Sequence, residues 1–308
     1  MRSEEELRRF FAGELRQHVE AWRHVRRIRP PGMVDVVAVL LAILTAGAMW
    51  QPAPLWLLAG YAVLRVMYDV RRVQGEFKRE VLRRVFEFAL PGVQYDPSAH
   101  IDPELVRKGG LFWESWNDDG GEDYVAGRMG STEFWFSELV LAHEKKDDRT
   151  VLFHGLFFIA DFNKAFRGRT YLLPDVAERN FGVLGRVAQA LRLDGTELVE
   201  LEDPDFEKRF VCTSTDPLEA RYVLSTSLIQ RILGIAERSP GPLRVSFVDQ
   251  CMYLARPMGD LFRAPFLSGS LDEEALLGFV RELRSVIELV DELGLNTRIW
   301  SKAAPAQP

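Results

Sequence analysis

The sequence predicts an α+β protein: an N-terminal helical arm, a two-helix transmembrane hairpin, then a cytoplasmic domain of mainly antiparallel sheet with packed helices. Three observations carry this. Two apolar runs lie close together near the N-terminus. Arginines crowd both outer ends of that block. After Tyr95 the texture changes to short β-rich segments separated by Gly/Asp-rich turns.

The N-terminal segment places Leu7, Phe11, Leu15, Val19, Trp22, Val25 and Ile28 on one helical face, in steps of three and four. Ser3 with Glu6 reads as a capping box, and Pro30, Pro31 and Gly32 end the helix, giving a basic amphipathic segment over 1–32.

The first apolar run, Met33 to Trp50, would span about 27 Å as a helix against a hydrocarbon core of about 30 Å. The second, Leu55 to Val70, is marginal, and its Arg65 lies near enough to one end to snorkel toward headgroups. Trp50 and Trp56 flank the connection, and Pro52 and Pro54 predict a tight reversal there. A buried hairpin in a soluble core is the alternative. A soluble core helix normally keeps a polar stripe, yet between Val36 and Ala48 only Thr45 is polar.

The flanks favour the membrane. Arg26, Arg27 and Arg29 before the block and Arg71 and Arg72 after it form a basic collar around a charge-free tip. Arginine crosses a bilayer poorly, so both termini are expected in the cytoplasm, with the protein in the inner membrane. The expected partners are the bilayer itself, through anionic headgroups, and a protein at the membrane.

A juxtamembrane helix follows over 71–92, with Val73, Phe77, Val81, Val85 and Phe88 on one face until Pro91-Gly92. The two arms are expected to meet as an antiparallel stalk, the alternative being that they lie on the bilayer with their arginines at anionic headgroups. Beyond them the cytoplasmic domain covers 93–300, and 301–308 reads as a disordered tail.

Within that domain the candidate strands are "LFWESW", "DYVAGRMG", "TEFWFSELVLAHE", "TVLFHGLFFIADFN" and "TYLLP", then "ELVELE" and "EKRFVCTS". "RVSFVD" and "CMYLARP" read as a hairpin through Asp249-Gln250. Helices are expected over Val176–Leu191, Ser225–Glu237 and Asp272–Leu293, the last an amphipathic helix packed on the sheet. Adjacent strands without crossover helices imply antiparallel pairing.

Composition sets exclusions. Among 308 residues the formal charge is -6, which argues against a protein that coats nucleic acid. Two distant cysteines, Cys212 and Cys251, fit a reducing compartment and offer no zinc-knuckle spacing.

Four segments are weighed for chemistry. "NDDGGED" (Asn117 to Asp123) concentrates oxygen ligands but lacks the EF-hand pattern and reads as a solvated turn. His143 and His154 flank a hairpin loop; a two-residue turn at Asp147-Asp148 would allow them to be diagonal neighbours, and a longer turn would separate them. Without a third ligand they make a weak zinc case, so no metal or cofactor is expected. Asp161, Asn163, Lys164, Arg167 and Arg169 form a candidate patch for a phosphate or acidic peptide, with a turn-forming role as the plainer reading. "FEKRF", residues 206 to 210, reads as an alternating strand with Phe206 and Phe210 inward. GxSxG, Walker, HExxH and GxGxxG motifs are missing.

"VLFHGLFFIADFNKAFRGRTYLLPD", "DPDFEKRFVCTSTDPLEARYVLSTSLIQRIL" and "RVSFVDQCMYLARP" resemble the bacterial membrane proteins grouped as domain of unknown function 3137. The most specific stretch runs from Phe153 to Lys164. The resemblance implies paired spans before a cytoplasmic domain and brings no established activity, so it assigns no functional residue. Arg256-Pro257 departs from the expected apolar continuation of its strand. The leading functional expectation is a non-catalytic, membrane-anchored binding or scaffold module. The rival is an enzyme or metal protein at the inner membrane face, using His143, His154, Asp161 and the acidic turn.

Overall fold

The computed structural model of the chain describes residues 4–25, 37, 39–41, 53–146, 148–162, 165–174, 195–262, 273–293 and 295. It divides into two compact units, one comprising Met1–Leu90 with Arg263–Val280, the other Pro91–Phe262 with Arg281–Pro308.

In the first unit the N-terminal arm is helical: α1 (Glu4–Phe10), a π-helical turn (Phe11–Leu15) and α2 (Arg16–Val25). The second arm is α3 (Ala53–Phe77), a π-helical turn (Lys78–Leu82) and α4 (Arg83–Ala89). Leu7, Phe11, Leu15 and Val19 are buried, as are Val73, Phe77, Val81 and Val85. Both sets repeat every fourth residue. In an ideal α-helix each such step overshoots a full turn by about 40°, so three steps would carry the stripe off its face. A π turn winds more loosely, and one in each arm absorbs that drift.

The stalk expected from the two stripes is present. α2 packs against the 78–82 turn and α3, and the Phe10 and Phe88 rings stack 4.0 Å apart at 4°. Pro54 sits in the first turn of α3, where its missing N–H is harmless. The tip itself, the Ser3 cap and most of the first apolar run lie outside the described residues.

The second unit is built on one sheet, in which nine strands among the described residues all pair antiparallel. Its strands are β1 (Gln94–Asp96), β2 (Asp118–Met129), β3 (Thr132–Lys145), β4 (Asp148–Asp161), β5 (Thr170–Pro174), β6 (Glu197–Leu198), β7 (Phe210–Ser214), β8 (Arg244–Val248) and β9 (Cys251–Pro257). The order is β1-β2-β3-β4-β9-β8-β5-β7-β6. The strand β9 runs through Arg256 to Pro257, which pairs with Gly155, so the departure noted in the sequence does not end it early.

Alternation puts Leu139, Leu141, Phe153, Phe157, Ile159 and Tyr253 into the core on one face. Phe134, Phe136 and Phe158 stack on the other. With both faces covered, β3 and β4 read as nearly continuous apolar runs.

Three Asp-Pro pairs each start a short helix. Asp102, Asp203 and Asp216 accept backbone N–H bonds at the starts of α5 (Pro103–Gly109), α6 (Pro204–Glu207) and α7 (Pro217–Val223). Ser225 caps α8 (Thr226–Glu237) in the same way.

Two sequence expectations need correction. "LFWESW" is not a strand. Arg244 lies over the rings of Phe112 and Trp113, and Arg107 over Trp116, holding the segment as an irregular cover on the core. "FEKRF" is not one strand either: Phe206 belongs to α6 and Phe210 opens β7, although both rings are buried and lie 5.1 Å apart. Helix α9 (Glu273–Glu292) forms as expected, and its Phe279 ring lies 5.3 Å from Phe77 of α3. The Val176–Leu191 helix falls outside the described residues.

Candidate functional site

Glu138 is the centre of a polar cluster in the sheet unit. It occupies the same face of β3 as Phe134 and Phe136, yet is buried. A carboxylate there is costly unless matched by donors or a cation. The Leu261 N–H donates to Oε2 at 2.7 Å, and His154 Nε2 lies 2.9 Å from Oε1. Those two side chains stand diagonally across β3 and β4, because Glu138 pairs with Leu156 and Val140 with His154. Asp260, in the turn after β9, places Oδ1 3.6 Å from the same nitrogen.

Two glycines make the approach possible. A Cβ on Gly155 would lie 2.3 Å from the Arg256 carbonyl oxygen and 2.7 Å from the Met258 nitrogen. Without one, the 256–258 backbone crosses next to His154, and the Met258 N–H donates to the His154 carbonyl. A Cβ on Gly121 would lie 2.1 Å from the Glu138 carbonyl oxygen. The glycine of the "F-x-G-L-F-F" stretch thus has a packing reason.

On the far side a bulge in β2 sets Asp123 and Tyr124 against a single β3 position and leaves Glu122 directly opposite Glu138. Asp123 takes φ 64, a conformation Asp tolerates, and is buried, accepting a 2.6 Å hydrogen bond from the Tyr95 hydroxyl. Burial, with the Asp123 charge second, holds the Tyr95 phenol far above its ordinary range, so it stays a donor.

The two histidines, whose proximity depended on the register of the hairpin, are not brought together. Lys145 pairs with Asp148 and His143 with Thr150, and a bulge follows at Leu152, so His154 falls opposite Val140. His143 Nδ1 meets the Ser115 carbonyl oxygen instead. The acidic segment enters β2 at Asp118 and is not a free turn: Asn117 exchanges hydrogen bonds with the Glu144 backbone, and Asp118 receives Arg149.

In the candidate patch, Asp161 ends β4 opposite Cys251. The Arg167 and Gly168 N–H groups both donate to Glu219, and Arg169 N–H to Thr215. Those bonds fix the backbone and leave the arginine side chains exposed. Asn163 and Lys164 lie outside the described residues.

Of the collar, Arg71 is exposed, whereas Arg72 turns inward, 3.5 Å from Asp69 and 3.6 Å from Glu76. Arg26, Arg27 and Arg29 lie outside the described residues. Beyond Asp69, toward the N-terminus of α3, the surface changes character: Val63, Leu64, Val66, Met67 and Tyr68 are all exposed, Leu64 by 66%. Helical residues Val37, Val39, Leu40 and Leu41 are exposed as well. Among the described residues no helix is long and apolar enough to cross a membrane.

Glu138 and Asp260 were not singled out from sequence. Alternation does put Glu138 on the face of Phe134 and Phe136, a carboxylate among aromatics, and that signal was available. Asp260 is tied to it only by the β4–β9 pairing.

Residues 151–295 match the family model described as "Protein of unknown function (DUF3137)". No curated protein matches the chain. Among solved structures, the crystal structure of the mycobacterial trehalose monomycolate transport factor A, TtfA, is similar at 14% identity and a TM-score of 0.31, over 67% of this chain and 94% of that one.

Proposed function

We propose that the chain is a membrane-anchored binding module, seated in the inner membrane by paired helices with both termini cytoplasmic, whose sheet domain engages a protein partner or lipid headgroup there. One observation carries the reading: Val37, Val39, Leu40 and Leu41, with Val63, Leu64, Val66, Met67 and Tyr68, are exposed, while α3 buries Val73 and Phe77 farther along. A run of large exposed aliphatic residues needs a cover, and a bilayer supplies one without a further protein surface. The charge-free tip and the arginines at both outer ends set the orientation. No residue is assigned a catalytic role.

The test is cysteine labelling in a background lacking Cys212 and Cys251. A cysteine replacing Ala53 is expected to react with an impermeant maleimide outside spheroplasts, and one replacing Ser3 or Ser301 only after lysis. Labelling at position 301 in intact spheroplasts overturns the topology. Full-length protein in the soluble fraction without detergent overturns the anchor.

A further inference from the structure

We propose that Glu138, His154 and Asp260 form a binding site for a divalent metal ion of the zinc class. Their nearest donor atoms all lie within 4.8 Å of one another, contributed by β3, β4 and the turn after β9. In a tetrahedral zinc site with ligands at about 2.0–2.1 Å, neighbouring donors stand about 3.3 Å apart. His154 Nε2 is 2.9 Å from Glu138 and 3.6 Å from Asp260, each within a few tenths of an ångström of that spacing.

Three features favour an ion over a plain histidine–carboxylate bond. A single ring nitrogen has one proton or one lone pair, yet two carboxylates converge on it; a metal satisfies all three at once. Glu122 stands directly opposite the buried Glu138, and like charges so placed repel unless a cation lies between or beside them. Glu138 is also held as metal-bound carboxylates are, its second oxygen taken by a backbone N–H from Leu261. His154 and Asp260 are each about one-third exposed, which leaves the ion a route in and a place for a water ligand. Mixed nitrogen and oxygen donors select zinc or a neighbouring transition metal over calcium or magnesium.

The full-length protein in detergent, stripped with chelator, is titrated with zinc and with cobalt. One saturable equivalent and a visible cobalt absorption typical of tetrahedral coordination are expected. His154→Ala and Asp260→Asn should each weaken binding by about tenfold or more, with His143→Ala unchanged. Because His154 and Asp260 are partly exposed, circular dichroism should show both variants folded, and zinc should raise the melting temperature of the parent more than theirs. Absence of saturable zinc binding, tighter binding of calcium than zinc, or undiminished affinity in folded His154→Ala overturns the proposal. The outcome is independent of where the hairpin lies.

Discussion

The Tyr95 hydroxyl donates a 2.6 Å hydrogen bond to Asp123 Oδ1, joining β1 to the bulge in β2, and both side chains are buried. Tyr95→Phe removes the donor and leaves that oxygen facing a ring edge, which should lower stability by about 1–3 kcal/mol. The pH dependence has a definite sign. The folded state holds the phenol far above its ordinary value of 10.0, mainly by burial. Its stabilisation is therefore complete below that value and falls as pH rises beyond it. Chemical denaturation from pH 8 to 11 should show a steeper alkaline loss in the parent than in Tyr95→Phe; equal slopes would disprove the assignment.

Cys212 offers a second alkaline probe. Burial pushes its thiol from 9.0 up to about 12, with the Arg221 guanidinium pulling it back only in part. The thiol should resist alkylation at pH 8 in the folded protein and react rapidly in denaturant. Cys212 modification under native conditions at the rate of a free thiol would show the β7 face to be open. Below pH 9 the buried thiol adds its full stabilisation, which is lost between pH 9 and 12.

Phe279→Asp places a charge where a ring packs at 5.3 Å from Phe77. The cost should exceed about 4 kcal/mol, as for other unpaired buried charges. The loss should appear in the helical arms, so protease sensitivity should rise first within residues 4–25 and 73–89. An unchanged melting temperature would mean the face is misplaced.

Gly155→Ala forces a Cβ to within 2.3 Å of the Arg256 carbonyl oxygen, where neither backbone can yield cheaply. A destabilisation of about 1–3 kcal/mol is expected, together with displacement of the turn that holds Asp260. Thermal melts measure the first, and loss of His154 chemical-shift similarity to the parent the second. A variant as stable as the parent would remove the steric account of this glycine.

The sheet was largely legible from sequence because both its signals are local. Alternation marks β3 and β4, and Asp249-Gln250 between two β-rich runs marks the β8–β9 hairpin. What misled were aromatics used for another purpose: Phe112, Trp113 and Trp116 have strand-like propensity but sit beneath arginines in an irregular cover. The starts of α5, α6 and α7 were readable, since Asp followed by Pro is a cap with a preset first turn, but at four to seven residues these helices show no period. The candidate site was the least visible part. Register decides which side chains meet across strands, and the bulges after Glu122 and Leu141 shift it by amounts that hydropathy does not reveal.

The looser turns at 11–15 and 78–82 also determine what kinds of change each arm can survive. A helix held in phase by one local unwinding counts residues: adding a further residue there, where the turn is already loosened, would rotate everything beyond it by about 100°. Phe88 would then leave Phe10, and Val85 would leave its buried row. Exchanges among aliphatic residues along the stripe keep that count and alter only volume. The arms are thus permissive in composition and intolerant of added length, so natural or engineered variation there should be recorded as substitutions, with insertions confined to the connections between helices.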